Sequence, residues 1–177
     1  MQNDENLPSL SFVEKLRIEH NTGPFNCGKP ALNYFLKRYA LGNQRANATR
    51  TYVVHRANKV VGYYSLAVGS VAYQEAPERI ITGLAHHPVP LMILARLAVD
   101  TSEQGRGLGS ALLKDAMLRT FQAAEIAGVR ALVVHAKDEE AKGFYEHFNL
   151  KPSPTDPYHL YCLMKDIRRL LGTYHSP

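Results

Sequence analysis

Cysteine is nearly missing from this chain of 177 residues: Cys27 and Cys162, far apart, are the whole complement. Two such residues build neither a disulfide framework nor a cysteine zinc site, and the simplest expectation is a reduced, cytoplasmic protein held by its core. Long apolar runs are missing too. No stretch approaches the ~20 residues of a membrane span, and Met1–Pro8 is polar and acidic, unlike a secretory signal. The most informative absence is of carboxylates. None occurs between Glu19 and Glu75, while Lys29, Lys37, Arg38, Arg45, Arg50, Arg56 and Lys59 all lie in that window. The formal net charge is only +5, so the segregation of charge is the signal. It points to a polyanionic partner, nucleic acid or an acidic protein tail. A chance excess of surface lysine and arginine is the plainer alternative.

At 45% hydrophobic residues the chain is long enough for one well-buried core and short for two. A single domain over 1–177 is expected, with 1–8 loose. Its centre is the stretch around Leu94–Gly128. An apolar strand, Leu91–Val99, breaks at Asp100-Thr101-Ser102-Glu103 and passes through Gln104-Gly105-Arg106-Gly107-Leu108-Gly109. A helix follows, with Leu113, Ala116, Met117, Phe121, Ala124 and Ala127 on one face and Gly128 as its stop. A glycine-rich turn entering a helix aims unpaired N–H groups and the positive end of the helix dipole at one point. Gly105, Gly107 and Gly109 would remove the Cβ atoms that hold a phosphate away, and Arg106 would add a charged donor. The segment therefore reads as a pyrophosphate cradle or, more plainly, as a tight connection that needs glycine for its dihedrals. No Gly-Lys-Ser/Thr follows, which excludes a Walker loop. The G-x-G-x-G spacing, with no βαβ unit and acidic ribose ligand, excludes a Rossmann site.

Elsewhere the pattern predicts a strand over Leu10–Ile18 and a helix opening at Pro30, with Leu32, Phe35, Leu36 and Tyr39 inward and Lys29, Asn33, Lys37 and Arg38 outward. Gly42-Asn43 would interrupt it. A hairpin pairs Thr51–His55 with Val60–Ala72, and Gly62 and Gly69 mark bulges or close approaches. Residues 73–90 read as a loop with a short helix. Strand Arg130–Ala136, helix Ala141–His147, strand Tyr158–Met164 and helix Asp166–Leu171 complete the chain.

Strand, Gln104-x-x-Gly107-x-Gly109 and long helix together resemble the acetyl-coenzyme A signature of the GNAT acetyltransferase superfamily. The resemblance covers nearly the full chain. It implies an α/β (α+β) fold: a mixed, mostly antiparallel twisted sheet flanked by helices, with a splayed parallel strand pair holding acetyl-CoA. It implies that Leu97, Ala98, Val99, Gln104, Gly105, Arg106, Gly107, Leu108, Gly109, Ser110 and Lys142 bind that co-substrate. Ala141, Phe144, Tyr145 and Phe148 have helical spacing, so by itself Tyr145 reads as a core tyrosine whose hydroxyl reaches a partner. In the superfamily, the tyrosine of this A-x-x-F-Y setting points at the coenzyme A sulfur. With an ordinary pKa of about 10 it can donate to a leaving thiolate of pKa about 8.5. An amine would attack the thioester directly, with oxyanion donors on Leu97–Val99. His86, His87, His135, Glu139 and Glu146 are all candidate bases. An α-amine of pKa about 7.7–8.0 needs none. His86-His87 point apart in an extended chain, so no metal is expected.

The runs from Phe25 to Leu36, Arg50 to Val54, Leu94 to Asp100 and Lys142 to Phe148 resemble the toxin branch of that superfamily, whose members are neutralised by ribbon–helix–helix antitoxins. That resemblance implies acetylation of the α-amine of aminoacyl-tRNA, which blocks translation. It also implies a homodimer, an antitoxin partner and, through it, operator DNA. Lys29, Lys37, Arg38, Arg45 and Arg50 would hold the tRNA. The basic window shows few aromatics placed for stacking, so phosphate and shape recognition are expected. The rivals are a GNAT enzyme acting on a protein N-terminus, lysine or small amine, and a catalytically silent coenzyme A-binding module.

Overall fold

The computed structural model describes residues 6–172. The expected looseness of 1–8 therefore lies mostly outside the described residues. The strands are β1 (Glu14–Lys15), β2 (Arg50–Arg56), β3 (Lys59–Val71), β4 (Val89–Val99), β5 (Ala131–His135), β6 (Lys151–Pro152) and β7 (His159–Leu163). The helices are α1 (Pro30–Arg38), α2 (Ala40–Arg45), α3 (Glu78–Ile81), α4 (Leu108–Ala124), α5 (Glu139–His147) and α6 (Met164–Gly172). Seven strands form one mixed sheet in the order β1-β2-β3-β4-β5-β7-β6, and its only parallel pair among the registers described is β4–β5. This is the helix-flanked α+β architecture that the sequence implies. The chain divides into two compact units, one taking in residues up to Leu66 with Arg96–Asp115, the other Ala67–Ala95 and the chain from Ala116 onward.

In the first unit, β2 and β3 meet across a two-residue turn. Ala57 and Asn58 both have positive φ, 46° and 69°. A turn left-handed at both central positions matches the right-handed twist of the flanking strands. Val54 pairs with Gly62 but His55 pairs with Val60, so Val61 is an extra residue on β3. This bulge has a use: the Val61 carbonyl accepts the N–H of Asp100 at 2.8 Å. Gly62 marks a close approach, as expected. A Cβ there would lie 3.0 Å from Leu112 Cδ1 and 3.2 Å from Leu108 Cδ2, so the first turn of α4 lies directly on the hairpin.

Helix α1 begins with Pro30 in its first turn, where a missing N–H costs nothing. Leu32, Phe35 and Leu36 bury against Phe25, Val53, Tyr63 and Ala98. Two expectations fail here. The helix breaks at Tyr39 (φ −117°), not at Gly42-Asn43, because Ala40, fully buried, opens α2. Tyr39 is consequently 51% exposed and is no part of the inward stripe. The first strand is also far shorter than Leu10–Ile18. The chain turns at Arg17–His20, where Arg17 N donates to His20 Nδ1 and His20 N to the Arg17 carbonyl, leaving Phe12 and Ile18 in solvent.

In the second unit, β4 and β5 pair over Leu91–Leu94 against Ala131–Val134, and β5 pairs with β7 through His135↔His159. Ile80, Val89, Leu91, Ala131, Tyr161 and Leu163 form its core. A Cβ on Gly69 would lie 2.5 Å from Ile93 Cδ1, so glycine is what lets Ile93 lie across β3. Helix α4 stops at Ala124, and Ala127 is exposed rather than on the buried face.

Two stability predictions follow from these contacts. Replacing Gly62 with alanine presses a methyl on Leu112, which is fully buried and cannot give way. Overpacking of this kind costs about 1–3 kcal/mol, against a return of about 0.5–1 kcal/mol from lost glycine freedom. A chemical denaturation midpoint below wild type is expected, and an unchanged midpoint would show that the contact is slack. The second concerns Glu14, whose Oε1 accepts from His20 Nε2 at 2.7 Å and His55 Nε2 at 2.8 Å. Those hydrogen bonds hold its pKa below the ordinary 4.5. The stabilisation is complete above pH 4.5 and is lost as pH falls through the depressed folded value. Glu14→Gln should flatten the acid limb of the stability–pH curve. An identical limb in both proteins would rule that contribution out.

Candidate functional site

The strand-to-helix loop of the first unit is fixed at several points. Asp100, 6% exposed, accepts from Asn26 N at 2.9 Å through Oδ2, and from Ser102 N (2.9 Å) and Ser102 Oγ (2.7 Å) through Oδ1. Burial alone would raise its pKa, but these donors outweigh it and hold the carboxyl below its ordinary 3.8. A short 3₁₀ turn, Thr101–Glu103, follows. Glu103 is 4% exposed and grips the Arg56 guanidinium at 2.7 and 3.3 Å, a two-point charged contact. Gln104 then donates its side-chain amide to the carbonyls of Val99 (2.9 Å) and Cys27 (3.1 Å).

Beyond Gln104 the loop uses glycine as the sequence requires, with one exception. Gly105 and Gly107 have φ of +78° and +83°, with no atom within 4 Å of where a Cβ would stand. Gly109 lies inside α4 and is not left-handed. The first helical hydrogen bond runs from Ala111 N to the Gly107 carbonyl. Helix geometry therefore leaves the N–H groups of Leu108, Gly109 and Ser110 without intrahelical acceptors. Their partial positive charge opens onto a space cleared by two Cβ-less residues, which suits a diphosphate. Arg106 is exposed at the same turn.

Strand β4 enters this loop with Ala98 buried and Leu97 and Val99 half-buried. Helix α1 packs here: Arg96 lays its guanidinium 3.6 Å from the Phe35 ring centre, and the fully buried Tyr63 donates its hydroxyl to the Leu32 carbonyl at 2.7 Å. Burial pushes the Tyr63 pKa up. The loop before α1 is joined to the cradle loop by Thr101 N–H donating to the Asn26 carbonyl at 2.9 Å.

In the second unit, Asp138 caps α5 by accepting from Ala141 N at 2.8 Å. Tyr145 is 7% exposed on this helix, with Phe144 edge-on at 5.2 Å. Burial alone drives its pKa upward. Among the described residues no protein group hydrogen-bonds its hydroxyl, unlike the hydroxyl of Tyr63. The ring is buried while the hydroxyl has no protein acceptor, which leaves that O–H available to an incoming group. Lys142 pairs with Glu146 at 3.7 Å along the same helix. The candidate bases separate clearly. Glu139 accepts from the Tyr158 hydroxyl at 2.6 Å, Glu146 faces Lys142, His86 stacks on Tyr73, and His87 is exposed. His135 lines a cavity of about 470 Å³ together with Leu91, Ile93 and Tyr161.

Two groups of histidine and carboxylate have close ligand atoms: Glu14, His20 and His55, and His135, Asp156 and His159. In the first, both histidines accept backbone N–H groups on Nδ1, from Arg17 and Asn58, so Nε2 of each carries a proton to Glu14. The group is a hydrogen-bonded clasp in which neither imidazole keeps a lone pair for a metal.

Of the basic residues expected to face RNA, Lys29, Lys37, Arg38 and Arg45 are exposed. Arg50 is engaged in the fold, donating to the Gln44 carbonyl and Asn47 Oδ1 at 2.8 Å each, where it closes the end of α2. Arg56 is likewise held by Glu103. Sequence reading missed the supports of the loop, Asn26, Asp100 and Glu103. A run of polar residues directly after a buried strand was the available signal. It also missed two exposed rings, Tyr34 and Tyr39, which lie beside Lys37 and Arg38 in the chain.

Comparison with known proteins agrees with this geometry. A curated protein of Mycobacterium tuberculosis, a tRNA-acetylating toxin, is 51% identical over 84% of this chain and 89% of its own. The solved structure of AtaT complexed with acetyl-methionyl-tRNAfMet has a TM-score of 0.84 at 28% identity, covering 92% of this chain and 99% of that one. A tyrosine-to-phenylalanine mutant of AtaT, bound to the C-terminus of the antitoxin AtaR and acetyl-CoA, has a TM-score of 0.79 at 28% identity over 93% and 99%. The family profile of the acetyltransferase (GNAT) domain matches residues 47–149, from the basic hairpin through the glycine loop to the end of α5. With more than half its length inside that match, the chain belongs to the GNAT acetyltransferases.

Proposed function

We propose that this chain is an acetyl-CoA-dependent N-acetyltransferase toxin that acetylates the α-amino group of aminoacyl-tRNA and so blocks translation. A cognate ribbon–helix–helix antitoxin neutralises it and carries it to operator DNA. Both compact units act together as one GNAT domain, and the working form is a cytoplasmic homodimer. The observation that carries this reading is the glycine loop, with two left-handed glycines opening onto the unpaired N–H groups of α4. The relatives add support, because the similar AtaT structures hold acetyl-methionyl-tRNAfMet in one case and acetyl-CoA with an antitoxin terminus in another.

In this mechanism the main-chain N–H groups of Gly105 to Ser110 hold the diphosphate of acetyl-CoA, and Arg106 adds charge. Gln104 acts through its side chain, tying the loop to Val99 and Cys27. Lys142 borders the donor. The peptide groups of Leu97–Val99 orient the thioester and stabilise its oxyanion. The amine nitrogen attacks the carbonyl carbon, the carbon–sulfur bond breaks, and Tyr145 donates its proton to sulfur. A phenol whose pKa burial has raised is too weak an acid to protonate a thiolate of pKa about 8.5 unaided. The donation is therefore coupled to loss of a proton from the nitrogen, which turns acidic once it is acylated. The products are an amide and a free thiol, and Tyr145 is neutral again. An α-amine of pKa about 7.7–8.0 is roughly 10–17% neutral at pH 7, so its neutral form is at hand without a dedicated protein base, and the proton it loses on acylation is the one that restores Tyr145.

The direct test is transfer of labelled acetyl to charged tRNA, set against peptide N-termini, lysine peptides and small amines. Label on charged tRNA is expected; label confined to an amine would end the toxin reading. Tyr145→Phe should lower the rate about 10²–10⁴-fold. Because the Tyr145 pKa is raised, the wild-type rate should climb through the amine pKa and then stay level to about pH 10. An alkaline fall below pH 9, or full turnover by the phenylalanine variant, would remove Tyr145 from the role. Replacing Lys37 and Arg38 with alanine should weaken tRNA binding and lower the slope of log K against log salt by about 0.7–0.9 per lost phosphate contact. A slope equal to wild type would move the RNA path off α1.

A further inference from the structure

We infer that Tyr34 and Tyr39 form a stacking platform for the unpaired 3′-terminal bases of the tRNA, next to the aminoacyl group that is acetylated. This rests on the aminoacyl-tRNA reading and specifies the part of the RNA that α1 receives.

The two rings are 54% and 51% exposed, the largest aromatic faces that the basic window leaves open. They meet edge to face, with centroids 5.5 Å apart and planes at 79°, so neither ring covers the other's whole π surface. Each ring packs on the other, Tyr34 from within α1 and Tyr39 from the junction of α1 and α2. Between them in the chain, Phe35 and Leu36 are 4% and 2% exposed, anchoring the same helix in the core. Lys37 and Arg38 lie in its last turn. Exposed aromatics interleaved with cations are the pattern that single-stranded nucleic acid binds, with rings for the bases and charges for the backbone. A duplex acceptor stem offers phosphates and shape but no free base faces. The nucleotides next to the reacting amine are the unpaired ones.

Charge decides between occupants. No carboxylate occurs from residue 20 to 74, so two copies of this surface would bring Lys37 and Arg38 against their own like charges. A flat, anionic ligand meets no such repulsion. Position supports the same occupant. In the same compact unit, Asn26, just ahead of α1, bonds to Asp100 and Thr101, and Arg96 of β4 stacks on Phe35. The platform is therefore built onto the elements that carry the glycine loop.

The test measures binding of uncharged tRNA and of the same tRNA lacking its single-stranded 3′ nucleotides. The proteins are wild type, the Tyr34→Ala and Tyr39→Ala variants singly and together, and the matching phenylalanine variants, with thermal unfolding as the check on folding. Wild type should prefer the intact tRNA. The double alanine variant should bind it about 5- to 100-fold more weakly, near the level of the truncated RNA, with the salt slope preserved. Phenylalanine variants, which keep the rings, should stay within about twofold, since stacking needs only the π face. Equal affinity of the double variant and wild type for intact tRNA would overturn the platform. So would a changed sedimentation coefficient of the free protein, which would assign the rings to a contact between chains. Acetyl transfer by wild type to charged tRNA, with RNA affinity untouched by the alanines, removes the platform and leaves the enzymatic reading standing. No transfer to any charged tRNA removes both.

Discussion

A buried carboxylate at the end of β4 sets the geometry on which the first unit depends. Asp100 collects the N–H of Asn26 and both donors of Ser102, while its own N–H goes to the carbonyl of the bulged Val61. Three chain segments distant in sequence thus converge on one residue. Removing any of these donors would leave a buried charge short of compensation, which costs far more than the hydrogen bond itself contributes. The carboxylate also governs where β4 stops. Its Oδ1 turns the chain into the 3₁₀ segment, from which Gln104 reaches back to Val99 and Cys27. The glycines beyond can therefore take left-handed dihedrals without leaving the loop floppy.

This division of labour explains which parts of the site were legible in the sequence. Glycines between an apolar strand and a periodic helix have few physical uses, so Gly105 and Gly107 could be read directly. The N-terminal proline of α1 and its Leu32/Phe35/Leu36 stripe were legible for the same reason, since each follows from local sterics or a single period. What escaped was decided by tertiary context. Arg50 looks like any other cation of the basic window, yet the end of α2 takes its guanidinium. Tyr39 fits the apolar spacing of α1, but the chain turns there so that Ala40 can fill the core. The first strand failed because a turn held by His20 interrupts a segment whose alternation was weak already.

The aromatics show the same limit from the other side. Sequence gives tyrosine no orientation, so Tyr34, Tyr39, Tyr63 and Tyr145 cannot be told apart by type. In the fold they take three distinct states. Tyr63 is sealed and satisfied by the Leu32 carbonyl, Tyr145 is buried with no described partner for its hydroxyl, and Tyr34 and Tyr39 stand in solvent. Only the first is accounted for by packing alone. A hydroxyl without a protein acceptor and rings left half-exposed are the groups of this set that remain open to a ligand.

On the proposed reading, donor and acceptor are bound by different chemistry. The donor loop offers main-chain N–H groups, whose position depends on glycine, a helix terminus and a buried carboxylate but on few exposed side chains. Such a site tolerates drift around it, and a cofactor that never changes asks for nothing more. On α1 the exposed face consists of side chains alone, Tyr34, Lys37 and Arg38, which can be exchanged without disturbing Leu32, Phe35 and Leu36 beneath. If α1 receives the acceptor as proposed, selectivity shifts by surface substitution while the chemistry of acetyl transfer stays fixed. That is the behaviour expected when the anchored face of a helix and its exposed face answer to different constraints.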